Sequence, residues 1–261
     1  MRNALLEALD STVRSMVSGK DVAVAFSGGL DSGVIATLCK RYARSVKLYT
    51  VGVEGSYDVR ESEELANVLD MEWVHIPIDE HSLIDCLSDM ISITGTVDPI
   101  VLSFEVPLMY ILSRVEEDTI LTGQGADEVF LGYSKYVGLT GDDLERQVSE
   151  DFDKLFSVTR VHECAMADHF GKTVLCPYLD ATVRSQVSEI PLMELVPYQD
   201  VRKVPLREVA MALGHPEIAS KPKKAAQYGS GAMNMMKRLA KSRSRTVGAL
   251  IIELRDGVER E

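Results

Sequence analysis

The stretch Phe26-Ser27-Gly28-Gly29-Leu30-Asp31-Ser32 decides how this chain is read. Before it, Asp21 to Phe26 is a short apolar run bounded by Gly19 and Lys20, the pattern of a buried strand. After it, Gly33 to Tyr42 carries apolar residues at three-to-four spacing, which predicts a helix. The glycine pair therefore falls where a strand turns into a helix. Glycines there let backbone N–H groups point into one concavity, and the helix N-terminus adds partial positive charge. Ser27 and Ser32 offer hydroxyl groups to the same place. A phosphate cradle fits this pattern; an ordinary tight turn is the bland alternative.

Two other phosphate loops do not fit. No lysine follows the glycines, so G-x-x-x-x-G-K-[ST] is absent, and Asp31 and Ser32 occupy the later positions of G-x-G-x-x-G. Asp31 is the informative residue. A carboxylate beside phosphate oxygens is repelled unless a divalent cation lies between them, which implies Mg²⁺ with Asp31 as a ligand.

A second stretch, Leu121-Thr122-Gly123-Gln124-Gly125-Ala126-Asp127-Glu128, leaves a predicted strand at Thr119–Thr122. By the strand-end rule it faces the same crevice as Ser27–Ser32. Asp127 is the candidate for the second Mg²⁺ ligand, although acidic residues also suit the first turn of any helix. Val51-Gly52-Val53-Glu54-Gly55-Ser56 follows another predicted strand, where an apolar residue with exposed backbone would flank an adenine ring; a plain loop fits equally well. Ser220-Lys221-Pro222-Lys223-Lys224, followed by small residues up to Gly231, suits a segment that closes over a polyphosphate. The alternative is a surface loop.

Strands predicted at 21–26, 46–51, 73–77 and 119–122 alternate with helices near 33–42, 60–69, 81–93 and 105–115, preceded by an amphipathic helix over about 1–18. That alternation predicts an α/β fold with a doubly wound parallel sheet. Beyond Tyr136 come a long acidic amphipathic stretch from Asp142 to about Phe170 and helical stretches near 181–188, 205–213 and 233–239. The expected organisation is a single unit, with a nucleotide-binding α/β core over 1–138 and a helical layer over 139–261.

The 261 residues are enough for one sizeable core, and 46% hydrophobic with 26% charged residues is a soluble globular balance. A net charge of −12 argues against nucleic-acid binding through a general field. One segment runs against it: between Glu217 and Glu253 there is no acidic residue, while Lys221, Lys223, Lys224, Lys237, Arg238, Lys241, Arg243 and Arg245 all occur. A solvated basic helix and a local anion site both fit. Cys39, Cys86, Cys164 and Cys176 form no C-x-x-C pair, so buried free thiols in a reducing compartment are expected. No signal peptide or membrane-length apolar run is present, and a cytoplasmic location without membrane association is expected.

These motifs resemble the synthetase domain of asparagine synthetases, within the N-type ATP pyrophosphatases, a group that also includes β-lactam synthetase. The matching residues are Ser27–Ser32, Val51-Gly52 with Gly55-Ser56 and Asp58, and Glu105-Val-Pro-Leu-Met-Tyr110. Gly123–Glu128 with Gly132-Tyr133, Pro177-Tyr-Leu-Asp180 and Lys221-Pro-Lys223 complete the set, which spans about residues 3–235. The resemblance implies an adenine nucleotide alpha hydrolase-like fold and ATP with Mg²⁺ as cofactors. It implies that Ser27, Gly28, Gly29, Asp31 and Ser32 hold pyrophosphate and Mg²⁺, and that Val51, Gly52, Thr122 and Gly123 contact adenosine. It further implies Asp127 on Mg²⁺ and Lys223, or its neighbour Lys224, on phosphate charge. Glu128 is a candidate for orienting the cation or the acceptor.

Three departures bear on the substrate. The family's glutaminase domain is not seen ahead of Met1-Arg2, so ammonia or an amine is expected from solution or from a separate glutaminase subunit. Gln124 stands where asparagine synthetases have the first Glu of Gly-Glu-Gly-Ser-Asp-Glu, and Thr173-Val-Leu175 stands where they have Glu-x-Arg. The expected activity is an ATP-dependent amide ligase: a small carboxylate, aspartate or an analogue, is adenylated with release of pyrophosphate and then amidated. Two alternatives stay open, an ATP-dependent tRNA base-modifying enzyme and a non-catalytic adenine-nucleotide sensor. The oligomeric state is open, a homodimer included.

Overall fold

Short aliphatic runs form the sheet because both faces of a parallel sheet are covered by helices. The computed structural model describes residues 2–197, 201–222 and 229–258. Its strands are β1 (Asp21–Ala25), β2 (Ser45–Gly52), β3 (Glu72–Pro77), β4 (Thr119–Leu121) and β5 (Thr173–Leu175). All pair in parallel, in the spatial order β3-β2-β1-β4-β5. Alternation along each strand divides the side chains between two cores. Val22, Val24, Leu48 and Leu121 face one; Ala23, Tyr49, Val51 and Ile120 face the other.

The first core is covered by α1 (Arg2–Val17), α2 (Leu30–Tyr42) and α3 (Tyr57–Val68). In α1 the fully buried stripe is Leu5, Leu9, Val13 and Val17, four residues apart, which is one face of a helix. Each such side chain contributes about 1.5–3 kcal/mol on burial. The second core is covered by α4 (Glu80–Thr94) and α5 (Pro99–Arg114).

The chain beyond Tyr136 departs from a purely helical layer. α6 (Gly141–Lys154) and α7 (Arg160–His169) are joined by a π-helical turn at Leu155–Thr159, and β5 then adds an edge strand beside β4. Three residues are too few to show a period of two, and Thr173–Leu175 carries no strand signal for that reason. α8 (Ala181–Ser188), α9 (Val204–Ala212), α10 (Ala232–Ser242) and α11 (Val247–Val258) follow. The α11 helix was not foreseen; its Leu250 and Ile251 close the second core.

α5 starts six residues before the expected Glu105. Asp98 caps it, its Oδ1 accepting from the N–H groups of Ile100 (2.8 Å) and Val101 (3.3 Å), with Pro99 in the first turn. Its run from Pro99 to Val106 is apolar nearly all round, which erases the amphipathic period. Among the described residues no single helix is long and apolar enough to cross a membrane.

Candidate functional site

β1 and β4 are neighbours, with Val24 paired to Leu121, so the loops that leave them open at the same sheet edge. The chain runs from β1 outward to β2 and β3, then returns to β4 on the other side of β1. Such a switch point leaves a crevice at the carboxyl ends of the strands. A cavity of about 250 Å³ lies there, lined by Ser27–Ser32, Val51, Thr122, Gly123, Gln124 and Asp127 among others. The two loops touch. A Cβ added to Gly123 would sit 3.0 Å from the Asp31 Cβ, so only a residue without a side chain lets them meet this closely.

The first loop is held from several sides. Gly28 has φ +68°, and a Cβ there would lie 2.6 Å from the backbone of Glu61 and Ser62 in the second turn of α3. The Ser32 hydroxyl accepts from the Ser27 N–H and lies 3.2 Å from the Ser27 hydroxyl. Thr50 donates to the Phe26 carbonyl (2.6 Å) and Tyr178 to the Asp31 carbonyl (2.8 Å). Gly29 is the N-cap of α2 and supplies no side-chain cap, which leaves first-turn N–H groups for an anion.

Asp31 and Asp127 converge on a residue the sequence reading did not single out. Lys203 Nζ lies 2.7 Å from Asp31 Oδ2 and 2.7 Å from Asp127 Oδ1, with only 2% of the residue exposed. Lys203 is also the N-cap of α9, in the left-handed region at φ +56°. A lysine at a helix N-terminus opposes the macrodipole and lacks the acceptor that a cap needs. That local mismatch is the one sign of Lys203 in the sequence. Arg202, Arg207 and Lys221 join it in the lining. Lys221 Nζ is 2.7 Å from Glu61 Oε2, and Arg207 donates to the carbonyls of Ala219 and Lys221.

The remaining predicted residues fall in different places. Thr122 lines the cavity, and its hydroxyl accepts from the Gln124 N–H at 3.2 Å. Gly52 is not among the lining residues; its carbonyl accepts from the Ile78 N–H, one step behind Val51. Glu128 is buried, accepts from the Tyr133 hydroxyl at 2.7 Å and is not a lining residue either. Burial raises its pKa from the usual carboxylate range. Lys223 and Lys224 lie outside the described residues. α5 and α7 add buried Glu105 and Glu163 to the lining.

Among the described residues no three His, Cys, Asp or Glu side chains gather as a metal centre. Magnesium asks for less: one or two carboxylates, with water and phosphate oxygens for the rest. Asp31 and Asp127 meet that requirement, since they already converge on one small cationic group beside the phosphate loop.

The asparagine synthase family model matches residues 4–160. A Methanocaldococcus jannaschii protein named as a glutamine-hydrolyzing asparagine synthetase is 30% identical, over 90% of this chain and 50% of its own. Glutamine-hydrolyzing asparagine synthetase B of Escherichia coli is 27% identical, over 69% of this chain and 36% of its own. The chain thus spans half or less of the length of these curated relatives. Among solved structures, NMN synthetase from Francisella tularensis aligns over 99% of this chain and 91% of its own, at 15% identity and a TM-score of 0.44. With a family match over more than half of its residues, including both loops that meet at the switch point, this chain belongs to the asparagine synthase family.

Proposed function

We propose that this chain is an ATP-dependent amide ligase. It adenylates a small carboxylate, aspartate or an analogue, with release of pyrophosphate, and passes the acyl group to ammonia or an amine. The observation that carries this is the meeting of the two loops, with Asp31 and Asp127 on one buried ammonium.

The substrate carboxylate attacks the α-phosphorus of ATP and pyrophosphate leaves with the electron pair of the broken P–O bond. The nitrogen lone pair then attacks the acyl carbon and AMP leaves, with loss of a proton from nitrogen. Catalysis is positioning and charge neutralisation. Ser27, Gly28, Gly29 and Ser32 at the α2 N-terminus hold phosphate oxygens; Val51, Thr122 and Gly123 flank the adenosine. Bound Mg²⁺, held by Asp31 and Asp127, supplies charge neutralisation at the polyphosphate. Lys203 keeps both carboxylates in place, and Lys223 or Lys224 follows the leaving pyrophosphate. Glu128, braced by Tyr133, sets the position of its neighbour Asp127. Ammonia comes from solution or from a separate glutaminase subunit.

The test is a pyrophosphate-release screen with ATP, Mg²⁺, ammonia and candidate acids, comparing aspartate with β-amino acids and other small carboxylates. At least one acid should stimulate release, and Asp31→Ala should abolish it. If ATP binds while no acid stimulates release, the chain is a nucleotide sensor instead. The tRNA-modification alternative rests on the basic run from Lys221 to Arg245, in which Arg243 and Arg245 lie 3.9 and 3.6 Å from Glu253 at the surface.

A further inference from the structure

The cations of the cavity are not equally occupied. Every lysine and arginine among its described lining residues, Arg202, Lys203, Arg207 and Lys221, comes from the chain after residue 201. Lys203 already faces two carboxylates, Asp31 and Asp127, so that group as a whole is negative. Lys221 is neutralised by Glu61 at 2.7 Å. Arg207 spends its N–H groups on backbone. Its Nε donates to the Arg202 carbonyl at 2.8 Å and its Nη1 to the carbonyls of Ala219 and Lys221, which ties the two cation-bearing segments together.

Arg202 is the exception. Its Nε is shut off from solvent and has no hydrogen-bond partner among the described residues. Its one side-chain hydrogen bond there runs from Nη1 to the Gly132 carbonyl at 3.5 Å, longer than the usual range of about 2.7–3.2 Å. The nearby acids are taken: Asp31 and Asp127 face Lys203, and Glu61 faces Lys221. Gly132 is what lets the Arg202–Lys203 pair come this close, since a Cβ there would overlap Lys203 Cε and Asp127 Oδ1. A buried donor without an acceptor is unfavourable, and so is a guanidinium without a counter-charge. One anion with several oxygens, bound in the cavity, meets both needs.

Resting on the ligase reading above, we propose that Arg202 is a further catalytic residue, which binds phosphate oxygens of ATP and neutralises the charge that builds on pyrophosphate as it leaves. The charge balance calls for such a group. The polyphosphate enters a cavity where the Asp31–Asp127–Lys203 cluster is itself negative and Lys221 is already paired, and bound Mg²⁺ offsets only part of the total. A guanidinium presents its N–H groups in a planar fork that matches two oxygens of one phosphate, which a lysine cannot do. Arg202 directly precedes Lys203, whose ammonium touches Asp31 of the phosphate loop, so the anion nearest this pair of residues is the polyphosphate.

The experiment uses the full chain, with magnesium pyrophosphate and adenosine as separate binding probes and pyrophosphate release from ATP as the activity. Arg202→Ala removes the guanidinium; Arg202→Lys keeps the charge without the fork. Arg202→Ala should weaken pyrophosphate binding in calorimetry about tenfold, the size of one charge-assisted hydrogen bond, and leave adenosine binding within about twofold. With an acid that supports turnover, kcat for release should fall about 100-fold, as when one transition-state donor is lost, with Arg202→Lys intermediate. Guanidinium chloride, far below denaturing concentrations, should restore part of that kcat in Arg202→Ala and add nothing in the unmodified chain. Sodium chloride at equal ionic strength should restore none. An arginine that only holds the fold gives no such rescue. Unchanged pyrophosphate affinity, equal losses for pyrophosphate and adenosine, or a loss confined to KM for the acid would each overturn the proposal. Arg202→Lys carries the same comparison if Arg202→Ala does not fold. The binding arm needs no acid: if no acid supports release in the unmodified chain, the ligase reading falls, while the pyrophosphate comparison still decides whether Arg202 holds phosphate.

Discussion

At the scale of single residues, Lys203 does the most with the least sequence context. Its ammonium, 2% exposed, stands between Asp31 and Asp127 at 2.7 Å from each. Removing one partner of a buried ion pair leaves charge unsatisfied, and such losses cost about 3–5 kcal/mol. Lys203→Met should destabilise the chain by that amount in urea unfolding, and adding Asp31→Asn should recover part of it. A loss below about 1 kcal/mol would show that the ammonium does not hold the carboxylates together. Glu105 makes a second prediction, on stability and not on turnover. Its folded pKa lies above its unfolded one, so the folded chain binds more protons between roughly pH 4.5 and pH 8. Stability from this group is therefore complete below about pH 4.5 and is lost as pH rises through about 8, by at most about 1.4 kcal/mol per pH unit. Glu163 and Glu128 shift in the same direction. Unfolding free energies measured from pH 5 to 8 should decline less steeply in Glu105→Gln; parallel slopes would contradict the burial of a carboxyl at this position.

At the scale of elements, the loop between β1 and α2 depends on one backbone position. Gly28→Ala imposes the left-handed penalty of about 1–2 kcal/mol and drives a methyl into the Glu61–Ser62 backbone. The expected result is loss of ATP binding, read by isothermal titration calorimetry, with the fold retained by circular dichroism. Nearly unchanged affinity would mean that the loop does not hold the phosphates. The cap of α5 is a milder case: Asp98→Ala should cost about 1 kcal/mol in denaturant unfolding. These elements also show where a sequence stops being legible. The β1–loop–α2 unit announces itself through glycines, flanking apolar residues and a helical period. The start of α5 does not, because its exposed first turn, with Ile100 at 59%, is as apolar as its buried side and leaves no polar face to mark the period. β5 is invisible for a different reason: an edge strand of three residues is defined by its pairing with β4 and not by its own pattern.

The whole molecule is two cores on the faces of one sheet, and its cysteines report on them. Cys39, Cys86 and Cys176 are buried, Cys164 is exposed, and all four are free. Burial pushes the Cys176 thiol up to about 12 and raises Cys39 and Cys86 as well, so none of these three forms thiolate readily. A thiol reagent followed by mass spectrometry should modify Cys164 rapidly in the native protein and the other three only after unfolding. Rapid modification of two or more would show that a core is open. By itself the sequence determined the alternation of strands and helices, the two glycine loops and the acidic residues they carry, because each depends on neighbours within a few positions of the chain. The strand order that brings those loops together, the lysine that joins their carboxylates and the acid-lined wall of the cavity were decided only by tertiary structure. Asp31 and Lys203 are 172 positions apart, and no local pattern records a contact that exists only once the sheet and both cores have closed around it.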